Sequence, residues 1–542
     1  MDSVTTVPVP VNEPVRDHRP GSPEQQSLWA VLEQLRTAPR DLPARIGDRW
    51  HLGSGERIRV TEPHRRASVL GVLADSTRAD ACLAVRAALD AAHDWRRLPY
   101  DARAAIFLRA ADLLSGPWRD RMNAATMLGQ GKTVHQAEID AACELADFWR
   151  FNVAFGRELL EQQPAVQPPG AWNRLDHRPL EGFVYAVTPF NFTAIAGNLA
   201  TAPALMGNVV VWKPAPTQQL SAHVTMELLE AAGLPPGVVN MLPGTGPAVS
   251  DAVLDSPHLA GIHFTGSTDT FRRLWGEVGH RIGSYRTYPR IVGETGGKGF
   301  VLAHPSADLD ELRTALLRGA FDYQGQKCSA ASRAYLPRSI WRRLRDDLAA
   351  AADALPMGDV TDHRNFLGAV IDERAYRRQV AAIAEARARE TCRVIAGGEH
   401  DDAEGWFVRP TVLECDDLSD EVFEREYFGP ILAVHVFDDD RFDEVAQHID
   451  RTSDYALTGA VFGRDRGALE SASATLRDAA GNLYLNDKPT GAVVGQQPFG
   501  GGRASGTNDK AGAPSNLSRW ISSRTLKETY APPRDHRYAH MG

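Results

Sequence analysis

The chain has 542 residues, a length that suits two large α/β domains with smaller appendages better than one domain of ordinary size. Acidic residues outnumber basic ones, 69 to 60, and the formal charge of −9 is spread along the chain, which argues against a nucleic-acid partner or an anionic membrane surface. Five cysteines, odd in number and never spaced as Cys-x-x-Cys with His partners, argue against a disulfide scaffold and a structural zinc site and suit a reducing, cytoplasmic setting.

Residues 1–20 are rich in Val and Pro, carry an early acid at Asp2, and have no basic start followed by an apolar core; they read as a tail or docking strand. Segments 79–92 and 102–114 are Ala- and Leu-rich with charges at helical spacing, and 139–155 continues the pattern, so helices flanking a sheet are predicted there. Between residues 182 and 297, strand-length apolar runs at 183–187, 209–212, 238–242, 261–264 and 290–292 alternate with helix-length segments, which predicts a parallel sheet with helical crossovers. The uncharged stretch 188–212 has the length of a membrane span, but Pro189, Asn191, Asn198, Pro203, Gly207 and Asn208 interrupt it, so it is read as turn, helix and strand.

A second series starts at Gly299 with a strand at 300–303, then Ser306 and Asp308 as candidate caps for a helix through Leu317. Strands follow at 334–336, 393–396, 431–437, 459–462 and 482–485. The proline-containing stretch 162–170 and the segment after Gly506 belong to neither series and are read as arms used in oligomerisation.

Gly325-Gln326-Lys327-Cys328-Ser329 carries the strongest chemical signal. A thiol beside Lys327, in a turn where backbone N–H groups point at the sulfur, is expected to be accessible and to have the lowered pKa of a nucleophile. An isolated cysteine is more often a small buried hydrophobe. Glu294, followed by Thr295-Gly296-Gly297-Lys298, stands at the end of the last strand of the first series, where open α/β sheets hold ligands; it is a candidate base for water, against the alternative of a surface turn acid. Asn191, in Thr188-Pro189-Phe190-Asn191-Phe192, offers an amide N–H to an oxyanion, although an Asn in such a turn also serves as a helix cap. Nucleophile, base and oxyanion donor together suit acyl-type chemistry.

These motifs occur in order with Trp212-Lys213-Pro214, Phe264-Thr265-Gly266-Ser267 and Glu426-Tyr427-Phe428-Gly429-Pro430, and the series resembles the aldehyde dehydrogenase superfamily over about residues 75–525. Gln136-Ala137-Glu138-Ile139-Asp140, the run 495–500, the run 505–510 and Val9-Pro10-Val11-Asn12-Glu13-Pro14 look like the branch that acts on 1-pyrroline-5-carboxylate, whose open form is glutamate semialdehyde. The resemblance implies an α/β fold: an NAD-binding, Rossmann-like domain over 1–160 and 181–298, a catalytic domain over 299–485, and an oligomerisation arm from 161–180 and 506–542. It implies that Cys328 attacks the aldehyde while Asn191 and the Cys328 N–H hold the oxygen, that hydride passes to NAD, and that Glu294 activates water against the thioester. Thr188, Phe190, Lys213, Gly246, Ser267, Glu426 and Phe428 would hold the cofactor. Phe192 and Phe499 would flank the aliphatic stem of the substrate, Ser329, Gly491 and Ala492 would receive its carboxylate, and Glu144 would pair with its ammonium.

The implied step is the second in proline breakdown, carried out by a homo-oligomer with a small-molecule substrate, no metal, no nucleic acid and no membrane. Many relatives have an acid three residues after the lysine, where this chain has Pro216, so the preference for NAD over NADP rests on the resemblance alone. Gly131-Lys132-Thr133 ends like a phosphate-binding loop, but its leading glycine would fall at Thr126 in a helical pattern. Other aldehydes such as succinate semialdehyde, a CoA-dependent acylating reaction, and a silent NAD-binding scaffold remain rival readings.

Overall fold

A computed structural model describes residues 5–542; residues 1–4 of the expected tail, Asp2 among them, lie outside the described residues. Strands β1 (Phe183–Val187), β2 (Val209–Lys213), β3 (Val239–Met241), β4 (Leu259–Thr265) and β5 (Arg290–Glu294) pair in parallel in the order β5-β4-β1-β2-β3. Every residue of β2 and β4 is buried, which explains why they read as continuous apolar runs rather than alternating ones. The antiparallel pair Ala44–Ile46 and Arg49–His51 extends the β3 edge.

The expected helices flank this sheet as Arg78–Arg97 and Tyr100–Ser115. Thr77 and Asp80 close the start of the first in a capping box. The third expected helix differs in detail: it opens as a π-helical stretch, Glu138–Glu144, before the α-helix Leu145–Glu161. The stretch with the length of a membrane span forms the helix Thr193–Leu205 and then β2, and no helix of the described residues is long and apolar enough to cross a membrane.

The second sheet contains β6 (Gly299–Ala303), β7 (Ala331–Pro337), β8 (Cys392–Ala396), β9 (Thr411–Cys415), β10 (Ile431–Phe437), β11 (Thr458–Phe462) and β12 (Asn482–Leu485), in the order β8-β9-β10-β7-β6-β11-β12. All its pairings are parallel except that of the edge strand β8. Alternate residues of β6 enter opposite cores, Phe300 and Leu302 on one face and Val301 and Ala303 on the other. Of the two candidate caps, Asp308 accepts the N–H groups of Asp310 and Glu311 at the start of the helix Leu309–Phe321, whereas Ser306 turns to the N–H groups of Arg464 and Asp465.

Two features depart from the sequence reading. Cys392 and Cys415, directly opposite on β8 and β9, form a disulfide. Register rather than local spacing brings them together, so the exclusion of disulfides holds for a scaffold and not for this single cross-strand link. The strands Arg40–Asp41, Arg57–Glu62 and Arg65–Ala74 form a small sheet that was not anticipated. Finally, Ala171–Pro179 pairs along its length with Ile521–Thr529 in an antiparallel ribbon.

Candidate active site

Cys328 follows a turn in which Tyr323 (φ 52°), Gln324 (φ 55°) and Gly325 (φ 66°) are all left-handed. For the two residues with a Cβ this backbone costs about 1–2 kcal/mol each and persists only when neighbours hold it. The Tyr323 hydroxyl donates to the Gln130 carbonyl at 3.0 Å, and Gln324 Nε2 donates to the carbonyls of Gly131 and Ala369 at 3.0 and 2.7 Å. Gly325 must lack a side chain, because a Cβ there would collide with the Gly429 carbonyl.

Cys328 is only 9% exposed, and it lines a partly open cavity. The expected activation by Lys327 is corrected. The Lys327 ammonium turns toward Asp322, 3.9 Å away, and burial brings it down to about 8. Burial, with the carboxylates of Glu294 and Glu426 adding to it, pushes the Cys328 thiol well above its ordinary range, against the pull of the Cys328 and Ser329 N–H groups. These surroundings favour the thiol over the thiolate.

Glu294 ends β5 half-buried, with Oε2 accepting the Gly501 N–H at 3.3 Å. Burial raises its carboxyl well above the usual range, while Gly501 and Lys510 pull the other way. It is an interior acid and not a surface turn residue. A Cβ at Gly500 would stand 2.9 Å from Glu294 Oε1, so the loop leaves only backbone against the carboxylate.

Asn191 is buried and donates through Nδ2 to the carbonyl of Gln326, two residues before Cys328, at 3.0 Å, and its second amide N–H takes no part in that bond. It does not cap the following helix. That task falls to Asp140, which accepts the N–H groups of Thr193 and Ala194 at 3.0 and 2.9 Å. Asp140 also holds the buried Lys132 ammonium at 2.7 Å, and Lys132 lies 4.0 Å from the centre of the Phe192 ring. The Gly131-Lys132-Thr133 run is thus an internal brace, and it was legible only as something other than a phosphate loop.

On the cofactor side, Thr188 follows β1 and accepts from Trp212 Nε1 at 2.9 Å. Lys213, at the end of β2, is buried with its ammonium on the Pro214 carbonyl at 2.6 Å, and burial brings it down to about 8. Gly246 and Ser267 stand at the N-termini of the helices Pro247–Leu254 and Thr268–His280, and no atom fills the space where a Gly246 side chain would be. Helix N-termini present unpaired N–H groups suited to a pyrophosphate. Glu426 Oε1 accepts the Gly297 N–H at 2.7 Å, and burial pushes its carboxyl up to about 7. Phe428, itself left-handed at φ 54°, meets Phe190 edge-on at 5.8 Å. A lysine and a carboxylate for ribose hydroxyls, two helix starts for phosphates and an aromatic pair fit a dinucleotide.

The cavity at Cys328 has a volume of about 430 Å³. Phe192, Ser329 and Phe499 line it. Gly491, Ala492 and Glu144 do so as well. Ser329 Oγ lies 2.7 Å from Thr490 Oγ1, which ties the residue after the sulfur to the loop that carries Gly491. Glu144 is half-buried, and burial together with nearby Asp140 pushes its carboxyl up to about 8. A larger open cleft of about 950 Å³, bordered by Arg272, Trp275, Asp450 and Arg503, contains none of the candidate catalytic residues.

The profile of the Aldehyde dehydrogenase family matches residues 50–526. The chain belongs to the aldehyde dehydrogenase family. Among its relatives, Delta-1-pyrroline-5-carboxylate dehydrogenase, mitochondrial, of Dictyostelium discoideum is 46% identical over 99% of this chain and 96% of its own. The Homo sapiens protein of the same name is 45% identical over 98% and 94%. Among solved structures, Delta-pyrroline-5-carboxylate dehydrogenase from Mycobacterium tuberculosis bound with NAD is 61% identical, with a TM-score of 0.97 and full coverage of both chains. A Thermus 1-pyrroline-5-carboxylate dehydrogenase with bound NAD reaches a TM-score of 0.90 at 31% identity over 97% of this chain and all of its own. The aldehyde dehydrogenase fold expected from the sequence is therefore borne out.

Proposed function

We propose that the chain oxidises L-glutamate γ-semialdehyde, the open form of 1-pyrroline-5-carboxylate, to L-glutamate with NAD as the hydride acceptor, the second step of proline breakdown. The observation that carries the reading is the single cavity shared by Cys328, Phe192, Phe499, Ser329, Gly491 and Glu144. It offers an apolar middle, a sulfur, and polar groups for an amino-acid end, and the relatives named for this activity match over nearly the whole chain.

In this reading the Cys328 sulfur bonds to the aldehyde carbon as its proton passes to a solvent water, and the carbonyl electron pair moves to oxygen, to return to the carbon when the hydride leaves. Asn191 Nδ2 and the Cys328 N–H receive that oxyanion. NAD, when bound, supplies the acceptor for the hydride that leaves the same carbon, and Lys213, Ser267, Glu426 and Phe428 hold it. Glu294 then takes a proton from water as the water oxygen bonds to the thioester carbon. The C–S bond breaks, sulfur recovers a proton, and the carboxylate leaves. Ser329 and the N–H groups of Gly491 and Ala492 receive the substrate's own carboxylate, and its ammonium faces Glu144, whose carboxyl burial and the nearby Asp140 charge push up against the pull of Lys132 and Lys327, so that an arriving cation favours its charged form.

An aldehyde panel with NAD and NADP tests this: glutamate semialdehyde should give the highest kcat/KM, and an equal or higher value with succinate semialdehyde refutes the substrate assignment. A thioester released only on adding CoA would favour the acylating alternative. A biological role unchanged by Cys328→Ala would favour the silent scaffold. Homo-oligomerisation through the ribbon of Ala171–Pro179 and Ile521–Thr529, and the division into NAD-binding, catalytic and arm regions, belong to the same proposal. So does a cytoplasmic location, which the mitochondrial names of the relatives do not favour; fractionation of the producing cells distinguishes the two.

A further inference from the structure

Residues 5–19 form neither helix nor strand, yet Asn12, Glu13 and Val15 line the same cavity as Cys328. Pro10 and Pro14 restrict this segment to extended backbone, and charged side chains fix it in place. The Glu13 carboxylate pairs with Arg119 at 2.5 Å and Arg150 at 2.7 Å and accepts from Ser115 at 2.9 Å. Arg119 donates to the Pro14 carbonyl at 2.8 Å, and the Arg16 N–H donates to Glu138, also at 2.8 Å. Arg119 and Glu138 are deeply buried, so these bonds form with little competing water.

Toward the cavity, Asn12 Nδ2 donates to the Asp147 carboxylate and to the Val494 carbonyl, each at 2.8 Å. Its Oδ1 accepts from Gln496 at 3.0 Å, and the Glu13 N–H takes the other Asp147 oxygen at 2.7 Å. One side chain thereby ties loop 490–497, which holds Gly491 and Ala492, to the helix Leu145–Glu161. Both Asp147 oxygens are engaged, whereas the Glu144 carboxylate one turn earlier receives no protein hydrogen bond among the described residues. Of the two acids on that wall, Glu144 is the one left for a substrate ammonium.

We propose that Asn12 is a positioning residue for substrate recognition: it sets loop 490–497 against Asp147 so that the chamber selects an aldehyde bearing an aminocarboxylate. The inference rests on the glutamate-semialdehyde reading. Asn12 acts through the loop and Asp147 and does not itself touch the reacting carbon.

The test compares the full-length parent with Asn12→Ala and the isosteric Asn12→Asp at saturating NAD, on glutamate semialdehyde and on propanal. In both variants the kcat/KM ratio of the amino-acid aldehyde to propanal should fall about tenfold or more, through a higher KM, because Asp keeps the shape but loses both donors. A ratio unchanged in either variant, or equal losses on both aldehydes, overturns the proposal. Should a variant fail to fold, Gln496→Ala removes an exposed partner of the same amide, and an unchanged ratio there overturns it equally. A parent with no preference for glutamate semialdehyde over propanal refutes the substrate reading itself; a parent with that preference and unshifted variants refutes only the role of Asn12.

Discussion

The Lys132 ammonium lies 2.7 Å from the Asp140 carboxylate with neither side chain open to water, and Asp140 in turn caps the helix that begins just after Asn191 and Phe192. Removing one member of such a pair leaves the other charged and unpaired in the interior, at a cost of about 3–5 kcal/mol. Lys132→Met should lower the thermal-unfolding midpoint and slow thioester formation by loosening loop 188–192. A midpoint equal to the parent's would show that the brace carries no weight.

Cys328→Ala should abolish aldehyde oxidation while NAD binding, followed by fluorescence titration, persists. Glu294→Gln should form the thioester with a burst of NADH and then turn over about 100-fold or more slowly. Because burial raises the Glu294 carboxyl, its basic form develops as pH rises. The parent's steady-state rate should accordingly keep climbing with pH above the range where an ordinary carboxylate has finished titrating, and a falling profile contradicts the assignment.

His64 joins two regions far apart in sequence, its Nε2 lying 2.8 Å from Glu62 and 3.1 Å from Asp359. Arg36 bridges the same two carboxylates, Arg65 reaches Asp359, and Ser68 donates to Glu62. Burial opposes charge on His64, but Asp359 and Glu62 outweigh it and hold the imidazolium above its ordinary range. Burial likewise opposes charge on the acids, yet His64, Arg36 and Ser68 bring Glu62 down to about 2, and His64 and Thr361 hold Asp359 far below its ordinary range. A raised histidine stabilises below its ordinary pKa and loses that contribution as pH rises through the folded value; a lowered carboxylate stabilises above its ordinary pKa and loses it on acidification. The clasp should be strongest between about pH 4 and about pH 6.5. Asp359→Asn should cost most in melting temperature within that window, and a penalty constant from acid to alkaline pH would rule out the proton on His64 as its source.

Pro216 opens a short 3₁₀ turn three residues after Lys213, the lysine proposed for the ribose hydroxyls, and carries no charge. Pro216→Glu should reduce kcat/KM for NADP about tenfold or more relative to NAD, since like charges would meet at the 2′-phosphate. Equal effects on both coenzymes would place the adenosine ribose elsewhere.

Much of the fold and most of the candidate site were legible because they are local. Glu294 ends a strand, Asn191 follows one, and Cys328 lies in a glycine-containing turn, so short motifs carried them. What escaped depends on register and direction. Strand β9 was missed because Glu414 interrupts its apolar run, although Trp341 and Arg345 satisfy that carboxylate at 2.8 and 3.0 Å. Lys327 adjoins Cys328 in sequence but its side chain leaves toward Asp322, and the thiol is left to burial and to the carboxylates of Glu294 and Glu426, which push it up. The bond between Asn12 and Val494 spans 482 positions, and no pattern along the chain foretells it.

The loop that seats Glu294 comes from almost the far end of the chain: Gly501 bonds its carboxylate, Gly506 bridges its backbone, and Ser505 receives the N–H of Thr295. During synthesis, when N-terminal regions fold first, the first sheet can form long before this loop has been made. A ribosome-bound nascent chain that still lacks residues 501–506 therefore lacks the backbone groups that hold the Glu294 carboxylate.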